Sequence, residues 1–415
     1  MKKLLVIRND KIGDFMVCFP AFAMLKQSMP NVEITALVPS YTAPLAELCP
    51  SIDKIIIDTA NKKDKNEFNR ILQAVKNEQF DAVICFVSDW HNAKLTWQSG
   101  IKYRLAPATK LFQFLYNHRL TQRRSQSAKA ESEYNLDLAR AFLSKHNIPI
   151  VEPHTPYLSV EQQTVQAQKA KLCEQLNITT VKKWVFVHSS TGGSANNLSI
   201  EQYAELIQGI LAEFDCYVVL TAGKGESEKA QQLAQQINHN NVVVYDKNEG
   251  LQDFTHSLAC ADLFIAGSTG PLHISGALNI PTIGFYPSRL SAIPRRWKPI
   301  NDANKHIAFC PPSDKASQMN LTLISISEAL KTIVPFIRRM WNTPLSLIKL
   351  LNAILSISLP LEGESTEKHH FRVRFHKSAY FTKVECAERT ANKNPCLPSK
   401  KPAFNRYIFT KQPMA

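Results

Sequence analysis

Short apolar runs recur along most of this chain, each closed by a small-residue turn and followed by a longer segment with apolar positions three and four apart. Residues 4–7, 32–38, 55–57 and 82–87 read as strands. Residues 15–28 and 68–77 read as helices, the first with Phe15, Phe19, Phe22 and Leu25 on roughly one face. Strands alternating with helices predict a parallel sheet covered on both faces. A helix is expected over 131–145, and three prolines within 149–156 suggest a linker. A second α/β series follows. It has helices over 161–176, 201–214 and 251–259, and strands over 184–188, 216–221, 242–245, 263–266 and 281–285. The pattern fades near residue 340. Residues 346–361 are apolar and read as an interfacial helix, and 362–415 are basic, proline-containing and without period. The expected organisation is a first domain over 1–150, a linker over 151–160, a second domain over 161–339 and a largely unstructured tail over 340–415.

The segment 261–278 carries the most chemistry. Its apolar strand runs into Gly267-Ser268-Thr269-Gly270, and Pro271 stands where a first helical residue would. A strand, a small-residue turn and a helix start aim free N–H groups and the positive helix end at one point, which suits a nucleotide diphosphate. His273 can add a hydrogen bond or a proton there. The ordinary alternative is a capped strand–helix corner. Two further turns sit at strand ends: Ser189-Ser190-Thr191-Gly192-Gly193, able to hold phosphate, and Ala222-Gly223-Lys224-Gly225-Glu226, whose acid could accept ribose hydroxyls. Each also reads as a plain polar loop or helix start. Asp14, in Arg8-Asn9-Asp10-Lys11-Ile12-Gly13-Asp14, follows the first strand. From spacing alone a helix cap is its more ordinary role. In a cleft between two α/β halves it could instead take a proton from a hydroxyl.

Composition narrows the classes. The chain has 415 residues with 49 Lys and Arg against 35 Asp and Glu, a formal charge of +14, which favours a polyanionic partner. Residues 340–415 hold 12 of those bases and 5 of the acids, so the tail supplies half of the excess. No nucleic-acid module is recognisable. Residues 102–129 gather basic side chains beside Phe112, Phe114 and Tyr116. They read as a solvated helical face or as a surface for a phosphate-rich acceptor. The 9 cysteines are scattered without a CxxC pair and read as reduced core residues of a cytosolic protein. No stretch approaches the ~20 apolar residues of a membrane span. No histidine has metal-ligand spacing.

Four motifs together resemble glycosyltransferase family 9, the ADP-heptose:lipopolysaccharide heptosyltransferases. They are Lys3 to Asp14, Val187-His188-Ser189-Ser190-Thr191, Ala222 to Glu226, and Gly267-Ser268-Thr269-Gly270-Pro271-Leu272-His273. The stretches 117–119 and 133–138 are also similar to the family's inner-core enzymes. The resemblance spans residues 1 to about 335. It implies a GT-B fold, two Rossmann-like domains facing across a cleft. It implies inverting transfer of heptose from ADP-L-glycero-D-manno-heptose to the lipopolysaccharide inner core of a Gram-negative cell, without metal or other cofactor. Asp14 matches the catalytic base and the Ser190-Thr191 pair the diphosphate contacts, with Ser189 beside them as a further donor-site candidate. Glu226 matches the ribose contact, and Thr269, Gly270 and His273 match the donor loop, in which Ser268 is a further donor-site candidate. Lys11, Arg119, Arg123 and Arg124 would hold the phosphates or Kdo carboxylates of a Kdo-lipid A or core acceptor. The expected location is the cytoplasmic face of the inner membrane, in peripheral contact with anionic lipid. Two positions depart from the family: Ser268 stands where it often has a sugar-contacting Asp, and Asn196 where it commonly has a Lys. These departures leave open another nucleotide-sugar donor, or a sugar-nucleotide-binding relative without turnover.

Overall fold

The strand β1 (Lys3–Ile7) is apolar at every position from Leu4 onward, because helices cover both of its faces. It is the centre of a six-stranded parallel sheet. The other members are β2 (Glu33–Pro39), β3 (Lys54–Asp58), β4 (Ala82–Cys85), β5 (Tyr103–Pro107) and β6 (His118–Leu120), in the order β3-β2-β1-β4-β5-β6. A second six-stranded parallel sheet contains β7 (Lys183–His188), β8 (Cys216–Thr221), β9 (Val242–Tyr245), β10 (Leu263–Gly267), β11 (Thr282–Phe285) and β12 (His306–Phe309). Its order, β12-β11-β10-β7-β8-β9, repeats that of the first. Both are doubly wound sheets whose strand order reverses once, between β1 and β4 and between β7 and β10. The carboxyl edge at such a reversal is where ligands bind. Both sheets belong to one compact unit, Met1–Pro344.

This computed structural model describes residues 1–59, 61–191, 196–342, 370–378 and 381–389. The expected interfacial helix over 346–361 lies outside them. Within the segment expected to be largely unstructured, β13 (His370–Ser378) and β14 (Phe381–Arg389) pair antiparallel. Among the described residues no helix is long and apolar enough to cross a membrane.

Three expectations change. The helix expected over 15–28 is two helices, Ile12–Met16 and Phe19–Ser28, joined at Val17 and Cys18. Residues 15–25 are buried on every side, so their apolar positions mark burial and carry no single face. The basic stretch 102–129 is not a solvated helix. It forms β5 and the edge strand β6 with two short 3₁₀ turns, Leu111–Leu115 and Arg124–Gln126. Finally, a helix unforeseen in the sequence, Ile326–Trp341, packs Ile333, Phe336 and Ile337 into the second half's core. Arg338 pairs with Glu213 and the Trp341 indole donates to the Asp262 carbonyl at 3.3 Å, which fasten that helix.

Three histidines of the second half are withdrawn from solvent, His188 and His273 buried and His306 half-buried. Burial lowers all three imidazoles, His273 to about 4 and His306 to about 3, the latter helped by the neighbouring His273. Their unfolded counterparts titrate near ~6.5. Below that pH the unfolded chain binds protons that the folded chain refuses, so stability falls as pH drops from ~6.5 toward 4. His273 and His306 each contribute a slope of at most about 1.4 kcal/mol per pH unit. Urea unfolding should therefore weaken steeply across this window. His306→Gln should remove about one histidine's share of the slope, and an unchanged slope would contradict the assignment.

Candidate active site

The loop after β1 positions Asp14 through a buried arginine. Arg8 has only 3% of its side chain exposed, and such a charge needs anionic partners to remain in the interior. Its Nε donates to Asp10 Oδ1 at 2.7 Å and its NH2 to Asp14 Oδ1 at 2.6 Å. Asp14 is the third residue of the helix Ile12–Met16, whose N-cap, Lys11, makes no side-chain cap bond. The Asp14 carboxylate is thus held by Arg8, which replaces the helix-cap reading. Burial raises its pKa above the ordinary aspartate value; Arg8 opposes this, and the nearby Asp10 and Glu131 carboxylates add to it. A partly buried carboxylate with a raised pKa, facing a cleft, is a better proton acceptor than a free aspartate.

The loop itself is anchored by a buried polar network. Asn9 donates to Asp58 and at 2.7 Å to Asn92 Oδ1, and His91 Nε2 lies 3.0 Å from Asp58 Oδ1. Burial would raise the Asp58 carboxyl, but these bonds outweigh it and hold its pKa below the usual value. Two carboxylates of one half are therefore set in opposite directions. Asp58 is fully committed to structure, and Asp14 keeps one face toward the cleft.

Opposite Asp14 stands the turn after β10. Thr269 is the N-cap of the helix Gly270–Ala277 but makes no side-chain cap bond, and its buried Oγ1 has no hydrogen-bond partner among the described residues. The first-turn N–H groups, lacking helical carbonyls, and the helix dipole are therefore available to an anion at this edge. His273, in the same first turn, is neutral at neutral pH because burial lowers it to about 4. Its neutral ring can offer a hydrogen bond there, and its buried Nδ1 has no partner among the described residues. The two halves meet at this point with no room to spare. A Cβ on Gly13 would stand 3.0 Å from His273 Cδ2, and one on Gly270 would stand 3.0 Å from Ile12 Cγ2. Glycine here is a requirement of close approach.

The cleft so formed encloses about 680 Å³. Of the residues singled out in the sequence, Lys11, Asp14, Thr191, Ser268, Thr269, Gly270 and His273 line it. Ser190 is buried behind it, and the Ser189 carbonyl accepts from Asn197 Nδ2 at 2.7 Å. Glu226 sits at the start of the helix Ser227–Ile237, where its Oε2 accepts the Gly223 N–H at 2.8 Å and lies 3.7 Å from His188 Nε2. Arg119 and Arg123 are exposed on and after β6. Arg124 turns inward, donating to Glu131 Oε1 at 2.6 Å. Asn196 also lines the cleft, its amide donating to the Met319 carbonyl. His188, from the motif that ends in Thr191, also lines it, and Tyr41, Trp297 and Met319 are lining residues that were not foreseen. None of these three carries a local sequence signal beyond being aromatic or apolar. Among the described residues no three His, Cys, Asp or Glu side chains converge as metal ligands.

Two doubly wound halves that present a carboxylate and an anion-binding helix start across one cleft define a glycosyltransferase of the GT-B class. The chain belongs to glycosyltransferase family 9, whose family model, described as glycosyltransferase family 9 (heptosyltransferase), matches residues 68–321. It is 66% identical over 343 residues to a Haemophilus influenzae chain described as a candidate glycosyltransferase, covering 83% of this chain and 99% of that one. It is 22% identical to lipooligosaccharide heptosyltransferase 2 of Haemophilus ducreyi, over 67% of this chain and 81% of the relative. The fold matches the structure of Escherichia coli ADP-heptose lipopolysaccharide heptosyltransferase II with a TM-score of 0.65 at 16% identity, covering 82% of this chain and 99% of that one. It also matches E. coli heptosyltransferase WaaC with ADP, with a TM-score of 0.61 at 19% identity, over 81% and 99% of the two chains.

Proposed function

We propose that this glycosyltransferase moves a heptose from ADP-L-glycero-D-manno-heptose to the inner core of lipopolysaccharide. The reading rests above all on one juxtaposition: the raised, cleft-facing carboxylate of Asp14 opposite the open helix start at Thr269-Gly270. The heptosyltransferase relatives supply the sugar and the acceptor class. In the reaction, Asp14 accepts the proton of an acceptor hydroxyl as that oxygen attacks the anomeric carbon. The bond to the diphosphate breaks on the opposite face, and the configuration inverts. The departing ADP gains negative charge beside the N–H groups of the Gly270–Ala277 helix and the Thr269 and Thr191 hydroxyls, so preorganised dipoles stabilise it without a metal ion. Ser189, Ser190 and Glu226 support the strand-end turns that carry these groups. Lys11, Arg119 and Arg123 supply cations to a phosphorylated acceptor.

A second reading keeps the chemistry and changes the sugar. Ser268 and Asn196 line the cleft as neutral side chains, and the Asn196 amide is already engaged with Met319. Such a site can accept a different nucleotide sugar, and a donor panel separates the two readings.

Access to a lipid-linked acceptor calls for contact with the inner membrane's cytoplasmic face. Trp90, Leu111 and Phe114 are 57%, 89% and 65% exposed, an unusual cost for side chains of this kind in water. They stand just beyond β4 and β5, at the same sheet edge as Asp14, with Lys110 beside them. An anionic lipid surface fits that apolar and basic mixture.

Two outcomes test this function. With ADP-heptose and a Kdo-lipid A or truncated-core acceptor, transfer should persist in chelator, and Asp14→Asn should lower kcat by about 10²–10⁴-fold. Transfer only from another donor would favour the second reading, and near-normal turnover of Asp14→Asn would remove the base. In vesicle sedimentation with anionic phospholipid, Leu111→Asp with Phe114→Asp should weaken binding by at least roughly tenfold. Equal binding would place the membrane contact elsewhere.

A further inference from the structure

The buried carboxylate of Glu131 has no place in the transfer chemistry, yet guanidinium groups from both halves converge on it. Glu131 opens the helix Glu131–Lys145 and is 2% exposed. Its Oε1 accepts from Arg124 NH1 at 2.6 Å and stands 3.9 Å from Arg8 NH1. Its Oε2 accepts from Arg296 Nε at 3.2 Å, across 165 residues of chain. Arg296 lies in the short helix Pro294–Trp297 beyond β11, in the second half. Its guanidinium stands 5.2 Å from the centre of the Trp297 ring, and that residue walls the cleft.

Arg8 therefore has carboxylates on two sides. Its NH2 is bonded to Asp14, while its NH1 donates to the Phe86 carbonyl at 3.4 Å and points toward Glu131. In a low-dielectric setting an uncompensated Glu131 would compete with Asp14 for Arg8. Arg296 and Arg124 together compensate it. We propose that Arg296 and Glu131 are positioning residues for the base: their pairing across the two halves neutralises Glu131 and leaves Arg8 to hold Asp14 toward the cleft. The base is then set only when the segment carrying Trp297 is seated against the first half. This inference rests on the reading of Asp14 as the base.

The charged and titratable groups around Asp14 are few. Arg8, Asp10 and Lys11 come from the end of β1 and its loop. The Tyr41 hydroxyl, from the loop after β2, donates to the Asp10 carbonyl at 2.6 Å. Cys18, whose thiol is pushed up by burial and stays protonated, donates to the Asp14 carbonyl at 3.4 Å. Glu131 comes from its helix start, with Arg124 and Arg296 behind it. From the second half, the neutral His273 packs on Gly13. Of these, Glu131 is the anion whose compensation depends on the second half.

The test is the pH dependence of kcat/KM for the full chain with ADP-heptose and a truncated-core acceptor. Arg296→Gln should lower kcat at least tenfold with donor KM nearly unchanged, and should move the acid limb to higher pH, because Glu131 is then undercompensated. Arg296→Lys should restore most of both. Glu131→Gln should move the acid limb to lower pH. Opposite displacements are not the signature of lost packing. A common displacement, or none, would overturn the proposal; should Glu131→Gln not fold, the two Arg296 variants decide. If the wild type transfers no sugar from any donor, the functional reading has failed. A ¹³C NMR titration of the Asp14 carboxyl in the same variants then decides the inference alone, by the same criterion of opposite shifts.

Discussion

One buried guanidinium holds this site together. Arg8 leaves the end of β1, a central strand of the first sheet, and cannot stay in the interior without anions around it. Asp10 and Asp14 supply them from the next turn of chain, and Glu131 closes the third side at a longer distance. The placement of the Asp14 carboxylate follows from this need. The helix Ile12–Met16 is short and its N-cap offers no side chain, so the Asp14 carboxylate goes to the arginine and points toward the cleft. The same burial that makes Arg8 demand partners also raises the Asp14 pKa.

The second half answers with the same topology put to a different use. Its sheet repeats the strand order of the first, and its own reversal point, between β7 and β10, presents hydroxyls and backbone N–H groups in place of a carboxylate. One copy can take a proton while the other takes developing negative charge. Gly13 and Gly270 let the two loops approach closely, since a Cβ on either would stand 3.0 Å from a side chain of the facing loop.

Much of the fold was legible because both sheets are buried on two faces. Continuous apolar runs such as Leu263–Gly267 and Cys216–Thr221 stand out in the sequence, and each ends in a small-residue turn. Where burial is complete, however, helical periodicity vanishes, and the break at Val17 and Cys18 left no trace. The last two strands, β5 and the edge strand β6, were hidden for the opposite reason: this side of the sheet is partly solvated, and its arginines looked like a charge run. Arg104 in fact turns back to the Leu115 and Ile101 carbonyls. The final helix was masked by Pro335 in its interior, which reads as a helix breaker. At the site, Asp14 and the Thr269-Gly270 turn carried local signals. The Glu131–Arg296 contact, between residues far apart in the chain, carried none, and only the folded chain brings them together.

The stereochemistry of transfer tests the central claim most directly. A carboxylate that removes the acceptor's proton, opposite a site that receives the leaving diphosphate, permits one displacement at the anomeric carbon and no covalent sugar–enzyme intermediate. NMR assignment of the product from an anomerically defined ADP-heptose should show a configuration opposite to that of the donor. Retention of configuration would contradict the account and require a nucleophile on the protein or a front-face path.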